Sequence, residues 1–96
     1  MSNTQVPVPT IGRIVLATFK NDHDELVTRP ASVVRVWSDD MLNIMVFTDG
    51  SNDFKDGRHT HWLTSVHLDQ TGEVPHTWRW MPYQIANPGR GESKSA

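Results

Sequence analysis

The chain has 96 residues, with nine basic and eleven acidic side chains and a formal charge of −2 when its histidines are neutral. That length fills one hydrophobic core and therefore one domain, and the near balance of charge excludes a general attraction to nucleic acid or anionic lipid. There is no cysteine, which excludes a disulfide framework and a thiolate metal site, and no apolar run approaches the ~20 residues of a membrane-spanning helix.

Residues 1–10, "MSNTQVPVPT", are polar and interrupted by proline, which predicts a flexible arm ahead of a domain at 11–85. They lack the charged start and apolar stretch of a secretory signal, so the product is expected to stay in the cytoplasm where it is made. "IGRIVLATF" alternates, with Ile14 and Leu16 on one face and Val15, Ala17 and Phe19 on the other. It predicts a strand over 11–19, partly covered on both sides. "KNDHDELVTR" reads as a long loop. "ASVVRVW" after Pro30 and "MLNIMVFT" are separated by three turn residues, "SDD", and predict a hairpin of strands at 31–38 and 41–48. Leu42, Ile44 and Val46 share a face, and Val34 and Val36 are expected to meet them across the ladder.

"DGSNDFKDG" reads as a turn system in which Asp49, Ser51 and Asn52 bond their own backbone; it lacks the alternating ligands and distal glutamate of a calcium loop. "THWLTSVHL" resumes alternation over 60–67 and "DQTGEVP" breaks it. "HTWRWMPY" supplies a last strand at 76–81, which Pro82 ends because proline cannot donate to a ladder. "YQIAN" is the one candidate for a short helical turn, and the breaker-rich tail at 86–96 is expected to be flexible. Five short strands in this spacing predict an all-β fold, a small five-stranded SH3-like barrel with disordered N- and C-terminal tails, ahead of an OB-type barrel. The predicted core is Ile14, Leu16, Val34, Val36, Ile44, Val46 and Val66.

Trp78 and Trp80 fall on one face of the last strand. A small barrel has little room for two adjacent indoles, each burying about 200 Å². One is therefore expected to close the barrel and the other to sit at its rim, facing a partner or a second copy of the chain. Arg79 between them faces solvent or stacks on an aromatic neighbour. Trp78, Trp80 and Arg79, with Trp62, Arg29, Lys55 and Arg58, are the candidate binding residues. His59, His61 and His67 share strand parity, but no third ligand or orienting shell accompanies them, so no metal is expected. The chain has no G-x-S-x-G elbow, no phosphate loop and no G-x-G-x-x-G, so neither catalysis nor a cofactor is expected.

"RPASVVRVW", "NIMVFTDGSND", "HWLTSV" and "TWRWMP", in that order over residues 29–82, resemble a group of small uncharacterised proteins encoded by tailed bacteriophages. The resemblance implies a phage setting, with the host cytoplasm or the virion as the place of action, and carries over no catalytic residue. "GRIVLATF" followed by "TRPASVV" is similar to the opening of the MazF-type toxins, SH3-like barrels that cut RNA, and that likeness puts Arg29 where an arginine takes part in cleavage. Three functions follow as expectations. The first is a non-enzymatic accessory module that binds a host or phage protein, or itself. The second is a binder of a small nucleotide or RNA that would sequester a host signalling nucleotide, with Arg29, Lys55, Arg58 and an indole as its cradle. The third is a toxin-type ribonuclease. No membrane partner is expected.

Overall fold

In the computed structural model, which describes residues 8–86, strands β1 (Ile14–Lys20), β2 (Leu26–Val36), β3 (Met41–Phe47), β4 (Thr60–Leu68) and β5 (Thr77–Arg79) are followed by one short helix, α1 (Pro82–Ala86). The strands close into a barrel in chain order. Neighbours are antiparallel except β4 and β5, which run parallel through His67 opposite Thr77 and Leu68 opposite Trp78. This is the small five-stranded, SH3-like all-β barrel that the strand spacing predicts. Most of both expected tails lies outside the described residues; Val8–Thr10 are described, and Pro9 among them is buried.

The segment read as a long first loop is a tight turn. The side-chain oxygen of Asn21 accepts the backbone N–H groups of His23 and Glu25 at 2.9 and 3.0 Å, and the Asn21 N–H donates to the Glu25 carbonyl at 3.0 Å. One asparagine thus organises the reversal, and β2 starts at Leu26. Pro30 therefore lies within β2, opposite Leu16. Val33 exchanges its backbone bonds with Gly12 and Arg13 on the β1 side. Alternation then turns the Pro30 nitrogen toward β3, whose ladder with β2 begins only at Ala31, and no donor is missed there.

The inner face of β3 is the expected one: Leu42, Ile44 and Val46 are buried, as is Val66 on β4. On β1 the other face won. Val15, Ala17 and Phe19 are buried, whereas Leu16 is half-buried and Ile14 is 40% exposed. Both faces of β1 are apolar, and the decision comes from β5: Ala17 sits opposite Trp78, where its small side chain leaves room for an indole. On β2 the ladder slips between Val33 and Arg35. With Ala31 and Val33 inward, alternation points Val34 outward, 40% exposed and without a ladder partner; the bulge adds Arg35 to that outer face and lets Val36 return to pack against the core.

Trp78 is fully buried, and its indole N–H donates to the Asp40 carbonyl at 2.8 Å, tying β5 to the β2–β3 turn. After Arg79 the ladder is continued by amide side chains. Gln70 accepts from the Trp80 N–H and donates to the Trp80 carbonyl, at 3.1 and 2.9 Å, as a neighbouring strand would. Buried Gln84 accepts from the Met81 N–H at 2.7 Å and donates to the Ile14 carbonyl at 3.0 Å, fastening α1 to the start of β1. No buried side-chain nitrogen or oxygen among the described residues is left without a partner.

Ile44→Ala, in the buried face, is expected to destabilise the barrel by roughly 2–5 kcal/mol in urea unfolding, and Val34→Ala on the outward bulge by less than about 1 kcal/mol. Similar losses at both positions would contradict the inward and outward assignments.

Candidate functional site

Two bulges shape the outer face of β2, β3 and β4. The first is at Val34. The second lies between Leu42 and Ile44 of β3, where Thr64 and Ser65 on β4 together face Asn43 and Ser65 takes a φ of 53°. Asn43 pins both, because its side-chain oxygen accepts the Trp37 indole N–H at 3.0 Å and the Ser65 backbone N–H at 2.8 Å. The Arg35 guanidinium lies over the Trp37 ring, 4.0 Å from its centroid. Trp62, opposite Met45 in the ladder, stands outward from β4. The result is an open groove of about 700 Å³ lined by Ile11, Val34, Arg35, Val36, Asn43 and Trp62. Trp62 is 44% exposed and the adjoining Trp37 48%.

Of the candidate binding residues, only Trp62 falls in this groove. Trp78 and Trp80 do not divide between core and rim: both are buried, Trp80 with 3% exposure, and their rings meet edge to face at 5.1 Å. The expected lack of room fails because Ala17 and Ala31 leave space in the wall and because β5 ends at Arg79, so that Trp80 has left the ladder. Arg79 faces away from the core, half-buried, with its guanidinium against Gly72 and directed at the Thr71 carbonyl at 3.4 Å.

Arg29 belongs to a different structure. It donates from Nε and Nη2 to the two carboxylate oxygens of Asp53, both at 2.8 Å, and Asp53 is completely buried. Asp53 also accepts the Asp49 backbone N–H at 2.8 Å and the Asn21 side-chain amide at 3.4 Å. One carboxylate thereby joins β2, the β1–β2 turn and the loop after β3, which begins with a 3-10 turn at Gly50–Asn52. The Arg29 hydrogen bonds hold the Asp53 carboxyl down to about 2 against the opposing effect of burial, with help from the Asp49 amide and Asn21.

Arg58 is paired with Asp56 at 2.8 Å, lies over the Phe54 ring and approaches His61 Nδ1 at 3.1 Å. The Lys55 side chain is exposed, and its backbone N–H donates to Asp22 at 3.0 Å. Asp49 and Glu25 act on Arg29, and Asp22 on Arg58, so this cationic cluster is interleaved with carboxylates. The histidine parity is also corrected. The Ser65 bulge reverses the faces of β4, so His61 turns inward against Phe54 and Phe19 while His67 turns outward to Asp40. Burial and the nearby Arg58 push His61 below its ordinary range, which keeps the ring neutral and leaves Nδ1 to accept from Arg58. No group of three or more histidine, aspartate or glutamate side chains among the described residues could hold a metal ion.

The groove residues left out of the candidate set, Ile11, Val34, Arg35, Val36 and Asn43, with neighbouring Trp37, had a signal in the sequence. In "VVRVW" the inward Val33 and Val36 stand three apart, as do Leu63 and Val66 in "HWLTSVHL", and that spacing is the mark of a bulge. Comparison of the chain with protein-family models, curated proteins and solved structures returned no match.

The depressed Asp53 has a pH signature. Its ionised form stabilises the fold above the unfolded carboxyl value of ~3.9, and that contribution is expected to fade as pH falls toward about 2. Asp53→Asn should be less stable at pH 7 and should lose less stability than the wild type between those limits in urea titrations. Arg29→Met, which strands the buried carboxylate, should cost about 3 kcal/mol at pH 7. An unchanged midpoint in Arg29→Met would mean that the pair does not hold the loop and the turn together.

Proposed function

We propose that the chain is a non-enzymatic binding module, an accessory protein in the phage setting its sequence resembles, and that the groove on the outer face of β2–β4 receives a protein partner. The observation that carries this reading is the exposure of Trp37 and Trp62 beside apolar Ile11, Val34 and Val36. The barrel interior already has its own buried indoles, so these two do not serve the core, and tryptophan is enriched where binding energy concentrates. Among the described residues, Arg35 is the only charged side chain in the groove lining.

The charge arrangement favours a protein partner over nucleotide or RNA. Arg29 is committed to buried Asp53 and Arg58 to Asp56, with further carboxylates beside both. A phosphate would have to displace those carboxylates and would meet their repulsion. The ribonuclease reading draws on Arg29 and meets the same obstacle.

The test compares wild type with Trp62→Ala. The variant should keep its unfolding free energy within about 1 kcal/mol, because Trp62 is nearly half exposed. It should lose about thirtyfold in affinity for a protein captured by the wild type from phage-infected cells, the scale of a hot-spot truncation. Sedimentation of both forms shows whether that partner is a second copy of the chain. Binding retained in Trp62→Ala and lost in Lys55→Glu, with sensitivity to nuclease, would replace the protein partner by a nucleic acid.

A further inference from the structure

A second cavity, separate from the groove, lies over Trp80. It has a volume of about 380 Å³, within the ~300–1,000 Å³ range of small-ligand pockets. Its apolar walls are Val8, Leu68 and Ile85, each partly exposed, around the nearly buried Trp80. Three polar side chains join them: Gln70, Asp39 and Asp40. Two are already used. Gln70 spends its amide on the Trp80 backbone. One carboxylate oxygen of Asp40 pairs with His67 at 2.6 Å, and the other accepts the Leu68 N–H at 2.9 Å. Asp39 is exposed and makes no hydrogen bond or ion pair with the described residues. Among the described residues, the cavity therefore offers an apolar floor, one available anionic acceptor at its mouth, and no cationic side chain in its lining.

We propose that this cavity binds a primary alkylammonium group: a short hydrocarbon chain over Trp80 and Leu68, with its terminal ammonium donating to Asp39. A carboxylate or phosphate in the same place would face two aspartates and, among the described lining residues, find no donor side chain except an amide already bonded. A neutral apolar ligand would fill the walls and leave Asp39 unused. The Arg13 guanidinium, 5.4 Å from the Trp80 ring centroid, already takes up the cation attraction of that indole, so the pull on the ammonium comes from Asp39 and Asp40 and the ring serves as apolar surface. The free amine and the lysine side chain share the recognised chemistry.

The experiment titrates the full chain with n-hexylammonium, 1-hexanol and hexanoate while following backbone and indole N–H resonances. A fourth arm uses Nα-acetyl-lysine methylamide. Hexylammonium is expected to shift Asp39, Leu68, Gln70 and Trp80 and to bind about fivefold more tightly than hexanol, the upper scale for an ion pair near solvent. Hexanoate should bind more weakly than either. Asp39→Asn should abolish the preference for the amine, Asp39→Glu should keep it, and high salt should reduce it. If the acetyl-lysine derivative binds as well as hexylammonium, the source is a lysine of a peptide; if only hexylammonium binds, it is a free amine. Equal binding of hexanol and hexylammonium, a preference that survives Asp39→Asn, or no shifts at these residues would overturn the proposal. None of these readouts depends on Trp62, so the groove and the cavity stand or fall separately.

Discussion

The barrel is organised around the burial of one indole. Trp78 belongs to a strand of three residues, and that strand must pair with β1 on one side and β4 on the other for the sheet to close. So short a ladder supplies few backbone bonds. Its position is fixed instead by the side chain, which fills the space opposite Ala17 and donates to the Asp40 carbonyl in the β2–β3 turn. Once that indole is inside, the face of β1 that lines the interior is settled, and Ile14 is turned out. Trp80, edge to face against Trp78, closes the same end, with glutamine amides taking the place of a longer ladder.

Asp53 is a second anchor, remote in sequence from the residues it holds. Breaking a buried pair leaves a charge with nothing to compensate it, so the Arg29–Asp53 pair constrains the loop after β3 and the β1–β2 turn together. It also changes the surface. Two of the three cations expected to cradle a phosphate, Arg29 and Arg58, are occupied by carboxylates within the protein. The groove on the outer face of β2–β4 is instead mainly apolar and aromatic.

That outer surface exists because the ladder is irregular. Strict alternation from Val33 would have sent Val34 out and Arg35 in; the bulge sends both outward and brings Val36, partly buried, back against the core while its remaining surface lines the groove. The second bulge does the same for Thr64 and Ser65 and frees the Ser65 N–H for Asn43. A single asparagine side chain thus holds Trp37 and the β4 bulge in one arrangement, which gives the groove a defined shape.

Composition, period-two patterning and turn residues were enough to determine an all-β barrel of five strands, the hairpin between β2 and β3, the inner face of β3 and the short helix near "YQIAN". These are local properties, since alternation and turn chemistry act over a few residues. The structure decided what depends on residues brought together from afar. It chose between two apolar faces of β1 through the indole across the barrel. It chose Val33 over Val34 as the inward residue of β2, and through bulges that interrupt alternation midway it put Arg35 outward and placed His61 and His67 on opposite faces. It gave Arg29 to a buried aspartate 24 residues away and buried both tryptophans of the last strand. A sequence displays which side chains can share a face, but the volume, the register and the charge partners that choose among those faces are fixed only when the sheet closes.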